Sequence, residues 1–77
     1  PEILDFFKQE YDIADVSFKT WILPLEVESF ENNMITLVFP GESGKTGLQY
    51  INKKYLALLK ISIEETLNQE LELQIIR

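Results

Sequence analysis

The sequence has no cysteine and no histidine. Their absence removes disulfide staples, thiolate nucleophiles, imidazole bases and the usual zinc ligands together. Basic charge is also scarce, with seven Lys and Arg against 13 Asp and Glu and a net charge of −6 at pH 7. Affinity for nucleic acid comes mostly from basic side chains that displace phosphate counterions, so direct binding of DNA or RNA is expected to be weak or absent. No apolar run approaches the roughly 18 residues that a bilayer span needs, and no signal-peptide pattern opens the chain. A soluble protein of the cytoplasm, with no membrane association, is the expectation. The chain begins at Pro1, which suggests a trimmed chain or a domain taken from something longer.

What is present suits a folded domain. Of the 77 residues 45% are apolar, 12% aromatic and only 26% charged, a composition that favours burial over disorder. The length fits one domain, residues 1–77, and a chain this short buries only about 60% of the surface its unfolded form exposes.

Ile3, Leu4, Phe7 and Tyr11 share one helical stripe, with Asp5, Lys8 and Gln9 on the other side, so residues 2–11 read as a helix. Phe6 lies beside that stripe. Asp12 is placed to cap a second helix whose apolar face is Ala14, Phe18, Trp21 and Ile22, and Pro24 ends it. Residues 25–30 and 34–39 have strand composition and are joined across Glu31-Asn32-Asn33, where Asn tolerates positive φ. From Leu48 onward, Ile51, Tyr55, Leu58, Leu59, Ile63 and Leu67 recur every three or four residues as one long helix. Asn68 provides a left-handed C-terminal residue, and Leu71, Leu73 and Ile75 alternate with Glu70, Glu72 and Gln74 as a half-buried strand. The order is helix-helix-strand-strand-helix-strand, an α+β chain whose economical solution is one three-stranded mixed sheet packed by helices.

Gly41-Glu42-Ser43-Gly44-Lys45-Thr46, between a strand and a helix, invites comparison with a phosphate-binding loop. The spacing fails. Five positions before Gly44 stands Phe39 rather than Gly, and Pro40 removes an N–H from the stretch that would cradle a phosphate. Glu64 and Glu65 are adjacent on a helix, cannot face each other across a substrate and read as solvated surface. Lys53, Lys54 and Lys60 read as a solubilising helix face, and Ser17, Ser29 and Ser43 have no obvious activating base. Catalytic, cofactor-binding and metal-binding residues are therefore expected to be none, and the chain is expected not to be an enzyme.

Ser17-Phe18-Lys19-Thr20-Trp21-Ile22-Leu23-Pro24, Val38-Phe39-Pro40, Leu48 and Tyr55-Leu56 resemble the N-terminal domain of the bacterial DnaA replication initiators, as does the opening Ile3-Leu4-Asp5-Phe6-Phe7. The similarity covers nearly the whole chain, and Ser17 to Pro24 is its most specific part. It implies a KH-like α+β fold acting as a protein-interaction hub in DNA replication initiation, with helicase loading, self-association and regulator docking as its tasks. Partners would be the replicative helicase and replication regulatory proteins, with a weak homo-oligomer besides, and ATP and origin recognition would belong to other domains of such an initiator. Carried onto this sequence, Thr20, Trp21 and Pro24 mark the partner-binding surface, while Phe6 and Phe7 are the candidates for self-association, Phe6 the better because Phe7 shares the core stripe. Three positions depart from the family: Gly41 and Ser43 replace the usual Asn and Phe, and Gly47 replaces a Trp. The segment between Phe7 and Ser17 is also about five residues shorter than the family's pattern. A second functional class, a KH-like single-stranded nucleic-acid-binding domain, lacks the Gly-x-x-Gly loop with basic flanks and has the wrong charge.

Overall fold

The computed structural model describes residues 2–40 and 44–77. Helix α1 runs over Glu2–Glu10. A single α-helical turn, α2 (Asp15–Ser17), continues into a π-helical turn at Phe18–Ile22. Strands β1 (Glu26–Glu31) and β2 (Met34–Val38) follow, then α3 (Gly44–Lys54), α4 (Leu56–Leu67) and β3 (Glu72–Ile76). The sheet order is β1-β2-β3, with β1 and β2 antiparallel and β2 and β3 parallel. This is an α+β fold in the order read from the sequence, with the last helix in two pieces.

Chemistry of single residues sets the joints. Asn32 and Asn33 both take positive φ, at 52° and 61°, which gives a two-residue hairpin turn matching the twist of its strands. Asn68 closes α4 in the left-handed region, and the Gln69 N–H reaches back to the Glu64 carbonyl at 3.2 Å. Asp12 does not cap the second helix. It sits at φ 50° just beyond α1, where its own N–H bonds the Gln9 carbonyl and the Ile13 N–H bonds that of Lys8. That pair of bonds is the Schellman arrangement that ends a helix. Ala14 occupies the N-cap of α2 and makes no side-chain capping bond.

The break at Tyr55 follows from helix geometry. Gly47, Ile51, Tyr55 and Leu59 are all buried, yet 12 residues of ideal helix rotate Leu59 about 120° away from Gly47. Departing from helical angles at Tyr55, φ −115°, ψ −19°, lets both pieces turn to the core. Backbone bonds from Tyr55 to Ile51 and from Leu59 to Tyr55 carry the chain across the break.

Phe7, Phe18, Ile22, Ile35, Leu37, Phe39, Ile51, Tyr55, Leu59, Leu71, Leu73 and Ile75 form one buried cluster. In the sheet, Ile35 lies beside Leu73 and Leu37 beside Ile75, so these pairs share the helix-covered face. On the other face the Gln74 amide donates to the Thr36 hydroxyl at 2.8 Å. No helix of the described residues is long and apolar enough to cross a membrane.

Candidate protein-docking surface

The second helix is divided into two faces by its neighbours. Phe18 and Ile22 are buried, whereas Val16 is 77% exposed, Leu23 is 50% exposed and Thr20 is exposed. Val16, Thr20 and Leu23 follow one another at intervals of four and three, the spacing of one helical stripe. The wide turn at Phe18–Ile22 is closed by a bond from the Leu23 N–H to the Phe18 carbonyl, 2.9 Å. Leu25 then bonds back to the Ile22 carbonyl, 3.1 Å, and Pro24 is half-buried where the chain leaves for β1.

Trp21 sits at the border of the two faces. Its ring stacks on Phe39, centroids 5.6 Å apart and planes inclined by 26°, and meets Tyr50 at 4.6 Å. The half-buried indole therefore ties the second helix to the end of β2 and to α3. Tyr50 in turn meets Tyr55 edge-on at 6.4 Å. Lys54 donates to the Tyr50 hydroxyl at 3.1 Å and lies over both tyrosine rings. That hydrogen bond first, and the charges of Tyr50 and Tyr55 next, raise Lys54 above the usual lysine range.

Phe6 and Phe7 separate cleanly. Phe7 is wholly buried and packs on Tyr11 with centroids 5.2 Å apart, whereas Phe6 is 57% exposed. Phe7 therefore offers no surface to another chain, and of the two only Phe6 does. Thr20, Trp21 and Pro24 are brought together around one turn.

Two features of the surroundings escaped the sequence. The outward stripe of Val16 and Leu23 carries no signal of its own beyond being the complement of the buried Phe18 and Ile22. Glu64, expected as solvated surface, instead accepts the Leu71 N–H at 3.0 Å and pairs with Lys60 at 3.6 Å, which steadies the approach to β3. Nothing in the residue pattern announces that contact. Among the described residues there is no group of three or more acidic side chains placed to hold a metal ion. The loop-like motif Gly41–Thr46 falls partly outside the described residues, Gly41 and Ser43 included, while Gly44, Lys45 and Thr46 open α3.

No protein-family model matches the chain. Compared with curated proteins, it is 42% identical over 76 residues, 97% of its own length, to the chromosomal replication initiator protein DnaA of Lachnoclostridium phytofermentans. It spans 17% of that relative's length. Identity at that level over nearly every residue, with the Ser17 to Pro24 motif in place, makes the chain a relative of DnaA and is consistent with the DnaA N-terminal domain.

Proposed function

We propose that this chain is a single interaction domain serving DNA replication initiation in the bacterial cytoplasm, and that it acts by docking partner proteins rather than by catalysis. The observation that supports the reading is the outward stripe of Val16, Thr20 and Leu23, in which two apolar side chains flank a hydroxyl in water on a helix whose opposite face is buried. Trp21 stands beside that stripe with part of its ring accessible, and a rigid aromatic of this kind is a frequent interface anchor. The partners that fit the resemblance are the replicative helicase and replication regulators. Phe6 is the separate contact for self-association. A single-stranded nucleic-acid role finds no comparable support, because the net charge is −6.

The test is capture of the cognate helicase and regulators by wild type and by Thr20→Ala, Val16→Ser and Leu23→Ser variants, each first shown to be folded by circular dichroism. Loss of an anchor at an interface typically costs about 2 kcal/mol, roughly a thirtyfold weakening. Variants that keep every wild-type partner at wild-type affinity would place the docking surface elsewhere.

A further inference from the structure

Strand β1 closes one side of the sheet, and among the described residues no strand pairs with its outer edge. An edge strand presents unpaired N–H and C=O groups, a template for another strand. At the opposite edge the Asn52 amide of α3 reaches the Ile75 carbonyl of β3 at 3.5 Å. No such side chain reaches β1 among the described residues.

The face of β1 that should meet the helices is bare as well. Val27 lies opposite Leu37 and Phe30 opposite Ile35, so both belong to the core side of the sheet. Even so, Val27 is 69% and Phe30 is 50% exposed, because the helical layer stops short of them. An apolar cleft of about 260 Å³ runs alongside, lined by Leu4, Leu25, Val27, Ile63 and Leu67 among others.

Charge selects the occupant. Glu26, Glu28 and Glu31 are all exposed on β1, with Glu28 the extra residue where the register shifts between Val27 and Ser29. A second copy paired antiparallel about the middle of this strand would set Glu26 opposite Glu31 twice, and like charges directly opposite are destabilising. The net charge of −6 opposes such a dimer further. A basic strand meets neither obstacle. We propose that β1 accepts an extended segment of a basic partner protein as a fourth strand. Alternate apolar side chains of that segment cover Val27 and Phe30 and turn toward the cleft, while the intervening Lys or Arg face Glu26 and Glu31. Main-chain bonds supply affinity in this mode, and the period of two supplies specificity. The surface shares no residue with the Val16, Thr20 and Leu23 stripe and does not depend on it.

The probe is a capped eight-residue peptide of alternating valine and lysine, titrated into the isotopically labelled chain, with an alternating valine and glutamate peptide as control. The lysine peptide should shift the amides of residues 26–31, slow their hydrogen exchange and bind less tightly as salt rises, while the glutamate peptide leaves them unmoved. Replacing Val27 and Phe30 together by Ser should weaken binding by on the order of tenfold. Reversing Glu26→Lys and Glu31→Lys should transfer the preference to the glutamate peptide, and this variant decides the matter if the serine variant fails to fold. Equal binding of both peptides, shifts spread over the acidic surface or centred on the second helix, or a concentration-dependent dimer through β1 would each overturn the proposal.

Discussion

Trp21 lies between Phe39 and Tyr50, and that stacking governs how its substitution is read. Truncation to Ala removes a contact of the core as well as an anchor at the surface, so lost partner binding would report two causes at once. Thr20, exposed and outside the buried cluster, isolates the second. Lys8 and Asp15 are another pair whose placement carries a measurable consequence. They form an ion pair between the last turn of α1 and the first turn of α2, and Lys8 also lies 5.9 Å from the Phe18 ring centre. A hydrogen bond from Lys8, followed by its positive charge, lowers the Asp15 carboxyl below its ordinary value of 3.8. A carboxyl lowered by folding stabilises the native state above the unfolded value, and the contribution fades as pH falls through the folded one. Carboxyl titration by NMR should therefore find Asp15 below 3.8, and Lys8→Ala should return it to the ordinary range. Identical Asp15 titration in both proteins would mean that the pair does not persist in solution.

The helices end by a shared device. Asp12 after α1 and Asn68 after α4 both take left-handed angles, φ 50° and 55°, and each is followed by an N–H that bonds a carbonyl five residues back. A left-handed angle costs a residue with a Cβ about 1–2 kcal/mol, less for Asn and Asp. Asp12 also places negative charge at the negative end of the α1 dipole. Asp12→Gly should therefore raise stability by about 1 kcal/mol once glycine's larger chain entropy is subtracted, and Asn68→Ala should lower it by about 1 kcal/mol. Denaturant midpoints that move in those directions would confirm the shared design. Asn68 was legible in sequence because it follows the last apolar residue of a long periodic run. Asp12 was not, since Asp before a helical pattern reads equally as an N-cap and only the Ile13 to Lys8 bond shows which helix it serves. The Asn32-Asn33 turn and the alternation of β3 were readable for the same local reasons. The break at Tyr55 and the π-helical turn were hidden, because both answer to what α3, α4 and the second helix pack against rather than to their own spacing. At the candidate docking surface, the Phe18 and Ile22 face predicted the outward side, but the Trp21 stack joins residues 18 and 29 positions apart and leaves no local signature. The bare face of β1 was equally illegible, for its composition matches that of a covered strand.

Order in the whole molecule depends on a contact that closes late along the chain. β2 is the central strand, and its parallel partner β3 arrives only after α3 and α4 have been traversed. A pairing between segments so far apart in sequence gains nothing until the intervening helices are in place. Helices and sheet should therefore form and melt together. The Cα radius of gyration, 11.8 Å, agrees with about 11.5 Å for a compact chain of this length, and the buried side chains of both layers belong to one cluster. Trp21, the only tryptophan, sits where the second helix, the end of β2 and α3 meet. Its fluorescence consequently reports tertiary packing, while far-ultraviolet circular dichroism reports the helices. Under urea the two signals should follow a single superimposable transition, as a two-state domain requires. Leu71→Ala, which empties a fully buried position just before β3, should lower both midpoints together by about 2–5 kcal/mol of stability while leaving the curves coincident. Loss of tryptophan fluorescence well before loss of helix, in either protein, would show that the second helix and α3 separate from the sheet as an independent unit.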